Sequence, residues 1–158
     1  MIKELFKLIG LLFQSNPVDV IYSDLEVVEM KHFPFKGYKA MSWCGKIIHR
    51  VGTSKVDNIT MNHEKIHVMQ AFSCGDSWWK YYLLYTWDWL RCGFMSPLSA
   101  NYYVSKFESE AYANEDDFDY CNSYSLDSIE KYKIPKAKKK YKELGGKPSV
   151  WKSYVKSL

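Results

Sequence analysis

Two histidines four residues apart, with a glutamate directly after the first, constrain the fold of this chain more than any other feature. The motif HExxH occupies residues 63–67, and a helix start is predicted just before it at residues 57–60. On a helix, residues four apart lie on one face, so His63 and His67 can bind the same metal ion. The carboxylate of Glu64 can then reach a water molecule on that ion. The alternative interpretation is an ordinary core helix.

A second segment, residues 107–115, offers the third ligand that such a metal site needs. A site with two histidines and a carboxylate requires that the carboxylate come from another helix packed against the first. Glu108 shares a helical face with Ala111 and Tyr112, whereas Glu110 projects about 200° away. This pattern favours Glu108 as the ligand and turns Glu110 towards solvent. The alternative is an amphipathic helix with solvated glutamates.

The sequences NHEKIH at residues 62–67 and FESEAYANE at residues 107–115 resemble motifs of gluzincin-type zinc peptidases. The chain is similar to the compact minigluzincins and to the CAAX-prenyl protease group. It is more similar still to small uncharacterised HExxH proteins from gut bacteria. The resemblance runs from about Lys36 to Asp119 and implies a zincin-like fold with a minigluzincin core.

The resemblance also implies roles for individual residues. His63, His67 and Glu108 would hold zinc, and Glu64 would act as the general base on the zinc-activated water. The substrate of such an enzyme is a peptide or protein. The alternative function is a zinc-stabilised binding or regulatory module without turnover.

The chain departs from the family pattern at Tyr112, where many relatives carry an aspartate. That carboxylate orients a ligand histidine, so its replacement must come from elsewhere, and Glu115 is the candidate. Tyr112 is itself a candidate catalytic residue, because its hydroxyl could donate a hydrogen bond to the oxyanion of the reaction. Tyr102 and Tyr103 are further candidates for that role.

The residues before the motif predict a sheet. Residues 18–30, 38–42 and 46–51 are rich in apolar and β-branched residues in near alternation. Together with the later helices they predict an α+β fold, with a small antiparallel sheet followed by packed helices that carry HExxH and Glu108. Residues 46–51 are the candidate for an edge strand beside the metal that pairs with an extended peptide.

Two apolar segments raise the question of membrane contact. Residues 2–13 predict an amphipathic helix, and residues 77–94 predict a helix packed against the motif helix. Three charges in the second segment would be costly inside a bilayer. Packing within the domain is the primary prediction for both segments, and peripheral membrane contact is the alternative. We predict a cytoplasmic protein, with membrane association as the alternative.

Charge divides the chain into two parts. Residues 127–158 contain ten lysines and three acidic residues, whereas the remainder of the chain is weakly acidic. We predict a single domain over residues 1–126 and a basic C-terminal extension over residues 127–158. No nucleic-acid-binding motif accompanies the lysines, so no nucleic-acid partner is expected. The four cysteines lack CxxC spacing and are predicted to be reduced, with two disulfides as the alternative.

Overall fold

The computed structural model describes residues 1–21, 24–36, 38, 40–92 and 100–158. These residues form an α+β fold, as the sequence predicts. The elements in chain order are α1 (Ile2–Leu11), α2 (Pro17–Ile21), β1 (Glu26–Met30), β2 (Ala40–Trp43), β3 (Lys46–Arg50), α3 (Asn58–Ser73), α4 (Trp78–Cys92), α5 (Ala100–Tyr103), α6 (Lys106–Asn114), α7 (Ala137–Glu143) and α8 (Pro148–Lys156). Short 3₁₀ helices at Tyr120–Ser123 and Ser128–Tyr132 separate α6 from α7.

The described sheet is mixed, with the strand order β1-β3-β2, and is therefore not the antiparallel sheet that the sequence predicts. β1 pairs with β3 in parallel, and β2 pairs with β3 in the antiparallel direction. Ile47 and Ile48 of β3 are fully buried, which suits a strand with neighbours on both sides. The prediction that residues 46–51 form an edge strand is wrong, because β3 is central and β2 is an edge.

A tight turn joins β2 to β3. Cys44 and Gly45 both have positive φ angles, of 50° and 75°, which matches the backbone of a two-residue hairpin. A Cβ atom at Gly45 would stand 2.6 Å from the methyl groups of Val20. Glycine at this position therefore serves both the turn and the close approach of α2.

The prediction of sheet over residues 18–30 is wrong for the first part of that segment. Residues Pro17–Ile21 form α2, and the strand begins only at Glu26. Proline suits the first turn of a helix, and the Asp19 carboxylate accepts a hydrogen bond from the Asn16 backbone N–H at 2.9 Å. These local signals favour a helical turn over the apolar alternation that suggested a strand.

The long helices α3 and α4 begin close to where the sequence predicts. The Asp57 side chain caps α3 by accepting a hydrogen bond from the Thr60 backbone N–H at 2.8 Å. The predicted end of α4, at residue 94, lies outside the described residues. Within the described part of the chain, no helix has the length and apolar character required to cross a membrane. The four cysteines are free thiols.

The basic residues 127–158 pack on α6. Trp151 of α8 is fully buried, and its indole N–H donates to the Ser109 hydroxyl at 3.2 Å. Lys152 Nζ donates to the Glu115 carboxylate at 3.2 Å. The domain boundary at residue 126 stays a prediction, but these contacts show that α8 helps to hold the helix that carries Glu108.

Candidate metal centre

Helices α3 and α6 bring His63, His67 and Glu108 together in the interior. The Nε2 atom of His63 lies 3.6 Å from Glu108 Oε2, and the Nε2 atom of His67 lies 3.4 Å from Glu108 Oε1. The three ligand atoms lie within 4.8 Å of one another, and all three residues are buried. This arrangement could hold a metal ion.

The local sequence explains how the two helices meet. Four-residue spacing on α3 places the two imidazole rings 5.0 Å apart between centroids. The Ser105 hydroxyl caps α6 by accepting a hydrogen bond from the Glu108 backbone N–H, so Glu108 lies in the first turn. Ala111 is fully buried, consistent with the close approach of α3 and α6 that the sequence predicts for a small residue.

Each imidazole has a hydrogen-bond partner on the ring nitrogen that faces away from Glu108. His63 Nδ1 lies 3.1 Å from Glu115 Oε2, and His67 Nδ1 lies 2.7 Å from Gln70 Oε1. An acceptor at Nδ1 keeps the proton there and leaves Nε2 as a metal ligand. The structure therefore places Glu115 where the sequence sought a replacement carboxylate. Gln70 was missed, although its position three residues after His67 on α3 could have indicated it.

Glu110 is fully buried, and the prediction that it faces solvent is wrong. Its Oε2 accepts a hydrogen bond from Gln70 Nε2 at 2.7 Å. Its Oε1 accepts from the Tyr120 hydroxyl at 2.8 Å and the Ser128 hydroxyl at 2.5 Å. The chain after α6 folds back over this side of the helix, which the local sequence of α6 does not reveal.

The charges at the centre depend strongly on one another. Burial lowers the pKa of His63, but the carboxylates of Glu108 and Glu115 outweigh burial and raise that pKa to about 10. Burial raises the pKa of Glu108, but the two imidazoles hold it well below its usual range. A proton on the imidazoles thus compensates the buried carboxylate in the metal-free protein, and a metal ion must displace that proton.

One buried atom fits a metal ion particularly well. Glu108 Oε2 has no hydrogen-bond partner among the described residues. A buried carboxylate oxygen without a hydrogen-bond donor is costly. In the metal-free protein the charge of His63, whose Nε2 lies 3.6 Å away, compensates it, and a bound cation would take the place of that charge. Two imidazole nitrogens and one carboxylate form a donor set that suits zinc and several neighbouring transition metals.

Glu64 lies beside the ligands and is 7 % exposed. Burial is the main cause that raises the pKa of its carboxyl group, and the charge of Glu108 adds to it. The two imidazoles and a backbone hydrogen bond from Ser42 act in the opposite direction. A buried carboxylate whose pKa is raised is better suited to accept and return a proton than an ordinary one.

A cavity of about 380 Å³ opens onto the centre. Glu64, His67 and Glu108 line it together with the whole of β2 and several tyrosines of α4. The Tyr85 hydroxyl donates to Glu108 Oε1 at 2.5 Å. Sequence analysis missed this residue, because nothing in the aromatic run of α4 distinguishes the tyrosine that meets Glu108.

The tyrosines that the sequence proposes as oxyanion donors do not all line the cavity. The Tyr112 ring packs on His63 at 4.6 Å between centroids, and Lys152 Nζ lies 3.8 Å from the Tyr112 ring centroid. The described lining of the cavity includes Tyr102 and also Tyr38, which sequence analysis missed, but not Tyr112. The buried Tyr38 hydroxyl has no hydrogen-bond partner among the described residues. The role of Tyr112 stays a prediction, and Tyr38 and Tyr102 are better placed to donate into the cavity.

Comparisons with protein-family models, curated proteins and solved structures find no match for this chain. The gluzincin resemblance therefore rests on the motifs at residues 62–67 and 107–115. The zincin-like fold stays a prediction beside the α+β architecture described above.

Proposed function

We propose that this protein is a zinc-dependent peptidase of the gluzincin type. The observation that best supports the proposal is the meeting of His63, His67 and Glu108. Glu64 lines one cavity together with two of these residues, His67 and Glu108. Three protein ligands leave a coordination position for water or substrate, as catalytic zinc sites require. Bound zinc would lower the pKa of a water molecule and polarise a peptide carbonyl group.

The protein groups have separate tasks in the proposed reaction. Glu64 takes a proton from the attacking water and returns it to the leaving amine. Glu115 and Gln70 hold the two imidazoles in the orientation that presents Nε2. The hydroxyl of Tyr38 or Tyr102 donates a hydrogen bond to the carbonyl oxygen as negative charge develops on it.

The proposed substrate is an extended peptide with a bulky apolar side chain next to the cleaved bond. The edge strand β2 borders the cavity, and an extended peptide can pair with such an edge through main-chain hydrogen bonds. Aromatic side chains such as Trp43, Tyr81 and Tyr82 line the adjacent space. An apolar cavity of this size favours a large apolar group over a charged one.

One observation favours the alternative, a zinc-stabilised binding module. The three candidate ligand residues are 7 %, 6 % and 1 % exposed, so little of the centre is open to solvent. In that case zinc would join α3 to α6 without turnover, and the cavity would hold a peptide or another apolar ligand.

The substitution Glu64→Gln separates the two functions, because it removes the base and leaves all three ligands. We expect the purified variant to keep its zinc and its melting temperature but to cleave peptides from a mixed library about 10²- to 10⁴-fold more slowly. Zinc content is measured by elemental analysis and cleavage by mass spectrometry. Equal cleavage by the parent and the variant would refute the mechanism, and absence of cleavage by the zinc-loaded parent would favour the binding module.

A further inference from the structure

Helix α1 is apolar on two opposite sides. Leu8 and Leu11 are buried in the core, with 4 % exposure each. On the other side, Ile2 and Phe6 are 67 % and 69 % exposed, and Phe13 in the following turn is 74 % exposed. A surface helix ordinarily turns polar residues outwards. The packing of α1 within the domain therefore accounts for only one of its two apolar sides.

Helix α4 continues this exposed apolar surface. Trp79, Leu83 and Trp87 follow one another at four-residue intervals and are 52 %, 70 % and 67 % exposed. The rings of Phe13 and Trp79 are 5.9 Å apart between centroids, so the two groups of residues are in contact. We call the surface formed by these exposed residues the α1–α4 surface; its members are Ile2, Phe6, Phe13, Trp79, Leu83 and Trp87. Contiguous exposed patches of large apolar residues mark interaction sites.

The charges around the α1–α4 surface have one predominant sign. Lys3 and Lys7 of α1 and Lys80 of α4 are exposed, and Lys7 also lies near enough to Glu26 of β1 to lower the pKa of that carboxyl group. The acidic residues of the same helices are turned away from it. Glu4 accepts hydrogen bonds from two backbone N–H groups after β1, at 2.9 Å and 3.1 Å. Asp88 is buried and accepts a hydrogen bond from the first backbone N–H of α6 at 2.7 Å.

We propose that the α1–α4 surface docks the protein on an anionic membrane, with α1 lying in the interface. Tryptophan and lysine are the residues that prefer the boundary between acyl chains and headgroups, and lysines attract anionic lipid. A second copy of the chain fits less well, because pairing through the same surface would bring two sets of lysines together. The other side of α4 carries Tyr82 and Tyr85, which line the cavity, so docking would hold the cavity close to the membrane.

The test measures sedimentation of the full chain with phosphatidylcholine vesicles that contain either no phosphatidylserine or about 30 % of it. We expect binding to the anionic vesicles and at least tenfold weaker binding to the neutral ones. Phe6→Glu and Trp87→Glu should each weaken binding to anionic vesicles at least tenfold, since a charge replaces a group in the apolar interface. Lys3→Ala and Lys7→Ala should each weaken it about fivefold.

Leu126→Glu is the matched control, because Leu126 is 56 % exposed and lies on neither helix. It should bind vesicles as the parent does. The far-UV circular dichroism and melting temperature of every variant should equal those of the parent, since the replaced side chains are exposed. The proposal is overturned if the parent does not bind anionic vesicles, or if Phe6→Glu and Trp87→Glu bind as well as Leu126→Glu. Concentration-dependent dimerisation without vesicle binding would also overturn it, in favour of a second copy.

Discussion

Glu108 and Glu110 lie two residues apart on α6, and both are almost completely buried, yet their surroundings differ. Glu110 accepts three hydrogen bonds from protein side chains, so its carboxylate is fully compensated. Glu108 accepts one from Tyr85, faces two imidazoles, and leaves one oxygen without a hydrogen-bond donor among the described residues. Burial of a carboxylate alone does not distinguish a structural role from a ligand role. The incomplete set of hydrogen-bond partners makes Glu108, and not Glu110, the candidate ligand.

The largest expected effect comes from removing the two carboxylates separately. Glu108→Ala should weaken zinc binding about 10³-fold or more, because one of three protein ligands is lost. Glu110→Ala should instead lower the free energy of unfolding by about 3 kcal/mol, because it leaves several buried donors without an acceptor. Competition with a chromophoric chelator measures zinc affinity, and urea denaturation measures stability.

Glu143→Ala is the control for these two variants, since the Glu143 side chain is 54 % exposed. It should change neither zinc affinity nor stability appreciably. If Glu110→Ala abolished zinc binding while Glu108→Ala retained it, the assignment of the two carboxylates would have to be reversed.

Zinc affinity should rise with pH, because the metal competes with a proton on the imidazoles. In the metal-free protein the pKa of His63 is raised to about 10, so zinc must displace a proton at neutral pH. We expect affinity to rise about tenfold per pH unit between about pH 6 and pH 9. Titration calorimetry in buffers of different ionisation enthalpy would count the released protons. A zinc affinity independent of pH over this range would contradict the charge arrangement.

The same raised pKa affects the stability of the metal-free protein. A group whose pKa is higher in the folded than in the unfolded state stabilises the fold most below its unfolded pKa, about 6.5 for histidine. This contribution should therefore be lost as the pH rises from about 6.5 to about 10. The zinc-loaded protein should lack this dependence, since its imidazoles are neutral throughout.

A smaller effect is expected from the groups that orient the imidazoles. Gln70→Ala and Glu115→Ala should each weaken zinc binding about 10- to 100-fold, because they remove the acceptors at Nδ1 of His67 and His63. Gln70→Ala should also lower stability, because Gln70 connects the metal centre to Glu110. Glu115 has no hydrogen bond to Glu110, so its replacement should affect zinc binding more than folding. Equal losses of stability in both variants would contradict this predicted difference between Gln70 and Glu115.

The smallest effect concerns Tyr85. Tyr85→Phe removes the hydroxyl that donates to Glu108 and retains the ring in the core. We expect zinc affinity to fall about fivefold, which corresponds to the loss of one hydrogen bond of about 1 kcal/mol. Tyr82→Phe is the matched control, because its hydroxyl accepts from the Cys44 backbone N–H and not from the metal centre. A larger loss of zinc affinity in Tyr82→Phe than in Tyr85→Phe would contradict a role of the Tyr85 hydroxyl at Glu108.

Helical spacing made much of the candidate metal centre predictable from the sequence. His63, His67 and Glu64 lie on one helix, so the fixed geometry of α3 places them near one another. The face of α6 that carries Glu108 and Ala111 follows from the same regularity. The cap at Asp57 and the α+β class were also predictable, because they depend on short-range patterns.

Contacts between distant segments were settled by packing and could not be read from local patterns. Glu110 is buried because Tyr120 and Ser128 fold back onto α6. β2 is an edge of the described sheet and β3 is central, because β1 pairs with the other side of β3. Tyr38 and Tyr85 reach the cavity from segments that are far from Glu108 in the chain. Spacing along one helix fixes neighbours a few ångströms apart, whereas the partners across helices and strands depend on how the whole core is filled.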